Sequence, residues 1–427
     1  MTAIEGDARA RASVEVVTFG CRLNIVESDA MRSSASRAGH ANLAIVNTCA
    51  VTAEAVRQAR QSIRRLARDN PERPIVVTGC ASAIDPDGFS AMPEVTHVVA
   101  NGTKTALATW SGLPRTEATA SNVRGLAAPI ETIHTRGFLE IQNGCDHRCT
   151  FCVIPFGRGA SRSIAPATVL ERARTMLENG IREIVLTGVD ITSYGSDLPD
   201  EPKLGTLVRT LLAALPDLPR LRLSSIDCIE ADPDLITVIA DEDRFMPHLH
   251  LSLQSGSDLI LKRMKRRHGR GDAVAFCQKL KALRPDMVFG ADIITGFPTE
   301  TEAHFADSVA LIDDCGLTHL HVFPYSPRPG TPATRMPQVP RDIARDRAAA
   351  LRAVGDAALH RHLAAKIGRT TVVLMERGGK GREADFTGVR VGAPTDTAAV
   401  LPGAGSFVPV LITGHDGRNL AGVPLDP

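Results

Sequence analysis

Gly144-Cys145-Asp146-His147-Arg148-Cys149-Thr150-Phe151-Cys152 sets three thiols at the spacing C-x3-C-x2-C on one short loop. A loop that tight wraps three thiolates round one face of a cuboidal iron–sulfur cluster and leaves the fourth iron without a protein ligand; cysteine is the usual protein ligand of such clusters. Thiolate softness admits zinc as well. Structural zinc, however, wants four closed ligands, usually two separated Cys/His pairs. His147 is the other nearby donor, and it lies too close in the chain to close the shell easily. The spacing favours an open iron–sulfur cluster over a zinc site or three incidental cysteines.

The chain around this loop has 427 residues, enough for two or three domains. Its 49 Lys+Arg against 48 Asp+Glu exclude a globally basic nucleic-acid binder, so RNA contact must come from local patches. One Trp and two Tyr argue against a broad stacking platform for single strands. Nine cysteines, an odd number, read as reduced thiols and metal ligands, not as a disulfide framework. Met1 to Ala12 is polar and unlike a secretory signal, and no stretch approaches the roughly 18 apolar residues of a membrane span. A cytoplasmic protein without membrane association is expected.

Residues 1–110 alternate short apolar runs with helical patterns, which predicts a doubly wound parallel sheet. The runs are Val14 to Phe19, Leu43 to Val46 and Pro74 to Val77, with helices over Asn24 to Ala38 and Ala53 to Ala67. Cys21, Cys49 and Cys80 each follow a predicted strand by one to three residues. In a parallel sheet those ends share one edge, the edge at which α/β folds bind ligands. Singly, each reads as a small buried hydrophobe. Three at equivalent positions read as a second metal site. Arg57, Arg60, Arg64, Arg65 and Arg68 form a basic helix face, either solvated or aimed at RNA phosphates. Residues 111–133 lack periodicity and read as a linker.

Residues 134–366 carry six apolar runs with helical patterns between them, which predicts a partial (β/α)6 barrel. The runs are Phe138 to Ile141, Glu183 to Leu186, Leu221 to Leu223, His248 to Leu253, Val288 to Ile294 and His319 to Phe323. Chemistry in such barrels sits at the C-terminal strand ends, and the cysteine loop leaves the first of them. Cys228, Cys277 and Cys315 lack ligand spacing and read as structural. Arg158 and Arg162 follow the loop, and Lys262 to Arg270 is the densest basic run; Arg158, Arg162, Lys262, Arg263, Lys265, Arg266 and Arg267 are the candidate RNA contacts. Residues 367–427 alternate in short runs (Thr370 to Leu374, Phe386 to Val391, Ala398 to Leu401, Phe407 to Ile412), which suggests a small antiparallel β-barrel.

The central cysteine loop resembles that of the radical S-adenosylmethionine enzymes, and Val153-Ile154-Pro155-Phe156-Gly157-Arg158-Gly159 after it looks like their methylthiotransferase branch. Thr18-Phe19-Gly20-Cys21-Arg22-Leu23-Asn24, Val46-Asn47-Thr48-Cys49 and Val77-Thr78-Gly79-Cys80 carry the same likeness, which extends over residues 14 to 425. Leu223-Ser224-Ser225-Ile226-Asp227 and Ser252-Leu253-Gln254-Ser255-Gly256 look most like the MtaB-type subgroup, which modifies N6-threonylcarbamoyladenosine of tRNA. The resemblance implies an α/β chain with a methylthiotransferase domain, a radical S-adenosylmethionine barrel and a TRAM-like terminal barrel. It implies a catalytic [4Fe–4S] cluster on Cys145, Cys149 and Cys152 and an auxiliary one on Cys21, Cys49 and Cys80, with S-adenosylmethionine as cofactor. Thr187, Gly188, Asp190, Ser224, Gln254, Ile294 and Gly296 become cofactor-binding candidates. The implied partners are tRNA, a flavodoxin-type electron donor and a sulfur source. Alternatives are an enzyme acting on isopentenyl-adenosine or on a ribosomal-protein aspartate, or a non-catalytic zinc and RNA-binding protein.

Overall fold

The computed structural model describes residues 14–114, 135–392 and 403–425. Most of the expected linker and the run Ala398 to Leu401 lie outside the described residues.

Strands Glu15–Thr18, Ala44–Thr48, Ile75–Gly79 and His97–Val98 form one parallel sheet in that order. The two central strands are buried throughout, which is why they read as unbroken apolar runs. Both faces are covered, as a doubly wound sheet requires, although strand order simply follows the sequence. Helix Arg22–Arg37 packs Met31 and Ala35 against Ile45 and Val76, with Trp110 beside them. Helix Ala53–Asp69 packs Ile63 and Leu66 against Val46 and Val77 on the other side. Thr52 starts this second helix by accepting from the Ala55 amide at 3.1 Å. On its outer face Arg57, Arg60 and Arg64 pair with Glu54, Asp85 and Glu94, as on a solvated helix.

The central part holds two three-stranded parallel sheets, Gly137–Glu140, Glu183–Thr187, Arg220–Leu223 and His248–Gln254, Val288–Thr295, Leu317–Pro324. Isolated bridges at Leu221–Phe245 and Ile226–Leu251 join them into the expected six-stranded partial barrel. Leu139, Leu186, Leu223, Leu251, Phe289 and Ile293 fill its core with Cys277 and Cys315. Each such fully buried aliphatic or aromatic side chain contributes roughly 1.5–3 kcal/mol. No described helix is long and apolar enough to cross a membrane.

Thr370–Met375, Lys380–Arg382, Gly388–Val391, Phe407–His415 and Leu420–Pro424 close a five-stranded barrel. It is not wholly antiparallel, since Gly388–Val391 and Leu420–Pro424 run parallel. Strands at 380 and 420 escaped the sequence reading because both are short and glycine-bearing. The terminal barrel is tied to the central one by long-range polar contacts. Arg220 and Arg222 donate to the carbonyls of Val372 (2.9 Å) and Glu383 (3.0 Å), and Arg136 meets Glu376 at 2.6 Å.

Candidate active site

One buried side chain ties the start of the cysteine loop to the neighbouring strand end. Gln142, fully buried at the end of the first barrel strand, donates to the Gly144 carbonyl at 2.8 Å. Its other amide atom accepts from the backbone of Val189 (3.0 Å) and Asp190 (2.9 Å). The loop and the neighbouring strand end are thereby fastened together. Gly144 makes the turn possible: its φ is +76°, and a Cβ there would stand 1.9 Å from the Ala160 carbonyl oxygen. Gly144→Ala should cost on the order of 2 kcal/mol or more and displace the loop. The check is iron retained per chain after anaerobic reconstitution, expected to fall while secondary structure by circular dichroism is kept.

Cys145, Cys149 and Cys152 line a cavity of about 160 Å³ together with Asp190, Gln254 and Arg266. Burial, and after it the Asp190 carboxylate, push the Cys145 thiol up to about 12; burial pushes Cys152 to about 11. Such thiols stay protonated alone and become ligands beside a cation. His147, the alternative zinc donor, lines the same cavity and is held by carboxylates. Asp190 at 2.9 Å and Glu230 at 3.5 Å hold it and raise its pKa to about 9, which keeps it protonated at neutral pH.

Cys21, Cys49 and Cys80 come together, as their strand-end positions predict, on the wall of a larger cavity of about 630 Å³. Gly20 permits the approach, since a Cβ there would lie 2.6 Å from Cys49 Sγ. Burial raises Cys49 to about 11, and the neighbouring Cys21 and Cys80 thiols add to the shift. Thr187, Gly188, Ser224 and Gln254 line the same cavity. Ser224 Oγ is buried without a hydrogen-bond partner, as a cavity built for a polar ligand would leave it. The two cavities share Ile154, Val189, Ser225, Ser252 and Gln254, so the two cysteine sets open onto adjoining space. The donors and the orphaned hydroxyl fit two thiolate-bound clusters and a polar cofactor.

Several candidates fall elsewhere. Ile294 packs with Phe151 and Phe297, and Gly296 donates its amide to Glu300 at 2.9 Å with helix residue Ala344 against its α-carbon; neither lines the two cavities. Arg158 is corrected as an RNA contact: it is buried and bidentate to Glu27 at 2.8 and 2.9 Å, with Asn24 Oδ1 at 2.5 Å. Arg266 is corrected likewise, since it binds Asp227 and the Ser252 carbonyl, each at 2.7 Å, and stands 3.7 Å from Cys149 Sγ. Both guanidinium groups are turned inward onto buried carboxylates and are not presented to a phosphate at the surface. Arg263 bonds Thr299 at 2.6 Å, and Arg267 covers Glu230 and His147. Arg162, Lys262 and Lys265 remain exposed.

The larger cavity also contains residues the sequence reading passed over. His248, His250, His319 and His321 face it with Asp292. Asp292 accepts from His250 at 2.9 Å and His321 at 3.2 Å; burial opposes its charge, but these bonds bring it down to about 2. The signal was present as two His-Leu-His triplets, whose period of two puts both histidines of each strand on one face.

Residues 139–312 match the family model described as the radical SAM superfamily, and residues 13–100 match the uncharacterized protein family UPF0004. A Rickettsia prowazekii protein named threonylcarbamoyladenosine tRNA methylthiotransferase is 45% identical over 383 residues, covering 88% of this chain and 91% of that protein. A Bacillus subtilis protein of the same name is 35% identical, covering 81% and 80%. A Bartonella bacilliformis protein named tRNA-2-methylthio-N6-dimethylallyladenosine synthase is 33% identical, covering 87% of each.

Proposed function

The chain belongs to the methylthiotransferase family of radical S-adenosylmethionine enzymes, and from that premise we propose that it replaces the C2 hydrogen of N6-threonylcarbamoyladenosine, beside the tRNA anticodon, with a methylthio group. One observation carries this reading: two three-cysteine sets open onto cavities with common walls. A single cluster chemistry would need one such set.

Cys145, Cys149 and Cys152 would hold a [4Fe–4S] cluster with S-adenosylmethionine, and Cys21, Cys49 and Cys80 a second cluster. When bound, these groups supply a 5′-deoxyadenosyl radical, the inserted sulfur and the methyl group. The chain supplies position. Gln142 fixes the cluster loop against Val189 and Asp190. Arg266 stands beside Cys149 with its charge offset by Asp227. Ser224 offers a hydroxyl to whatever enters between the two thiol sets. The reduction and the sulfur inserted require an outside electron donor, which we assign to a flavodoxin-type protein, and an outside sulfur source.

Nucleoside mass analysis of tRNA incubated with reconstituted enzyme tests the proposal. Methylthiolated threonylcarbamoyladenosine is the expected product. Methylthiolated isopentenyl-adenosine, a modified ribosomal-protein aspartate with unmodified RNA, or a colourless protein with stoichiometric zinc would each overturn it. Cys21→Ala should remove the second cluster and reduce methylthiolation to background, while S-adenosylmethionine cleavage continues; unchanged methylthiolation would refute the role of the second set.

A further inference from the structure

Four guanidinium groups surround the ring of Phe386 at one end of the larger cavity. Their carbons lie 4.2 Å (Arg382), 5.1 Å (Arg222), 5.4 Å (Arg136) and 5.5 Å (Arg22) from the ring centroid. They come from all three parts of the chain. Two carboxylates serve most of them. Glu183 is reached by Arg222 at 3.0 Å, Arg136 at 3.6 Å and Arg220 at 3.7 Å. Glu376 is reached by Arg136 at 2.6 Å and Arg382 at 3.3 Å.

Arg22 is left over. Among the described residues it makes no hydrogen bond or ion pair, and its contacts are with the rings of Phe386 and Phe138. Arg136, Arg222 and Arg382 crowd the same ring, so Arg22 stands among like charges. Like charges held together out of water cost stability unless an anion joins them. Arg22 and Arg382 both line the cavity, and Arg22 directly follows Cys21. Arg158 and Lys104 are further cations near that cysteine set, and both are paired with Glu27.

We propose that Arg22, supported by Arg382, is the specificity site of the enzyme and binds the carboxylate carried by the N6 substituent of the target adenine. This rests on the tRNA reading above and goes further, because it states what separates one N6-modified adenosine from another. A threonylcarbamoyl group ends in a carboxylate that matches the planar fork of a guanidinium. A dimethylallyl group has no polar atom and would leave Arg22 half-buried and unpaired. A site built for a polar group rejects the analogue lacking it far more strongly than a hydrophobic pocket rejects a change of size. A backbone phosphate is the weaker candidate, because Arg22 and Arg382 line the cavity that also holds the sulfur-bearing set.

The test uses reconstituted full-length enzyme and three anticodon stem-loop RNAs. They carry threonylcarbamoyladenosine, its primary-amide counterpart without the negative charge, and isopentenyl-adenosine. Product is read by mass and iron per chain is measured in parallel. Wild type should favour acid over amide by about a hundredfold in kcat/KM, the magnitude of a lost charge-assisted hydrogen bond. Arg22→Met should bring that ratio to within about threefold, chiefly by raising KM for the acid roughly tenfold or more. Arg22→Lys, which keeps the charge and loses the fork, should fall between. Equal KM for acid and amide in wild type, or an unchanged ratio in Arg22→Met, overturns the assignment while leaving the tRNA reading intact. If none of the three RNAs is modified by wild type, the tRNA reading fails and this assignment with it. If Arg22→Met loses iron, the acid-to-amide ratio in Arg22→Lys decides, and a ratio unchanged from wild type overturns the assignment.

Discussion

Replacing Cys145 with alanine is expected to lower bound iron from about eight atoms per chain to about four and to abolish methylthiolation. The reason lies in how separately the two cysteine sets are built. Cys145, Cys149 and Cys152 share one loop, closed by the Cys145 amide on the Gly159 carbonyl at 3.1 Å and by Gln142 on Gly144. Loss of one of three thiols leaves a cluster two thiolates, and the other donors beside it, His147 and Asp190, are bonded to each other at 2.9 Å. Cys21, Cys49 and Cys80 stand at the ends of three different strands of another sheet and keep their positions. The measurement is iron and acid-labile sulfide after anaerobic reconstitution, alongside the tRNA nucleoside assay. Iron unchanged by the substitution, or zinc in its place, would refute the radical mechanism.

The second large effect is on stability. Glu27→Ala is expected to destabilise the protein by about 3–5 kcal/mol, the usual cost of breaking a buried ion pair from one side. Glu27 is buried between Arg158, bidentate at 2.8 and 2.9 Å, and Lys104 at 2.6 Å. Burial opposes its charge, but the bonds from Arg158 and then the two cations outweigh it and lower its pKa. Without it two buried cations face each other. A folded pKa below the unfolded value means that the stabilisation is present above the ordinary carboxylate pKa and is lost as pH falls through the lowered one. Wild-type stability should therefore decline in acid, and Glu27→Ala should flatten that dependence. Urea unfolding at pH 7 and at lower pH checks both. Because Arg158 ends the short helix Ile154–Arg158 that rests on Cys80, with Gly157 against its backbone, the variant should also hold the second cluster less firmly.

Much of this architecture was legible in the chain. Buried parallel strands are apolar along their length, so Ala44–Thr48 and Ile75–Gly79 announce themselves, and the cysteines that follow them fall on one edge as topology demands. The loop from Cys145 to Cys152 needed no fold at all, because its ligand spacing is local. Basic residues were harder. Lys262 to Arg267 reads as one patch, yet in three dimensions Arg266 turns inward to Asp227, Arg267 covers Glu230 and His147, and Lys262 and Lys265 stay exposed. A charge in a sequence does not say which carboxylate will meet it.

The sequence by itself determined the two cysteine sets, the alternation of strands and helices, and the family resemblance, because these depend on spacings of a few residues and on periods of 2 and 3.6. Only the tertiary structure decided that the two sets open onto adjoining cavities, that Arg158 meets Glu27 across 131 positions, and that arginines from three parts of the chain gather round Phe386. Those relations are long-range and electrostatic. They depend on which groups burial brings together and deprives of water, and no local pattern records that.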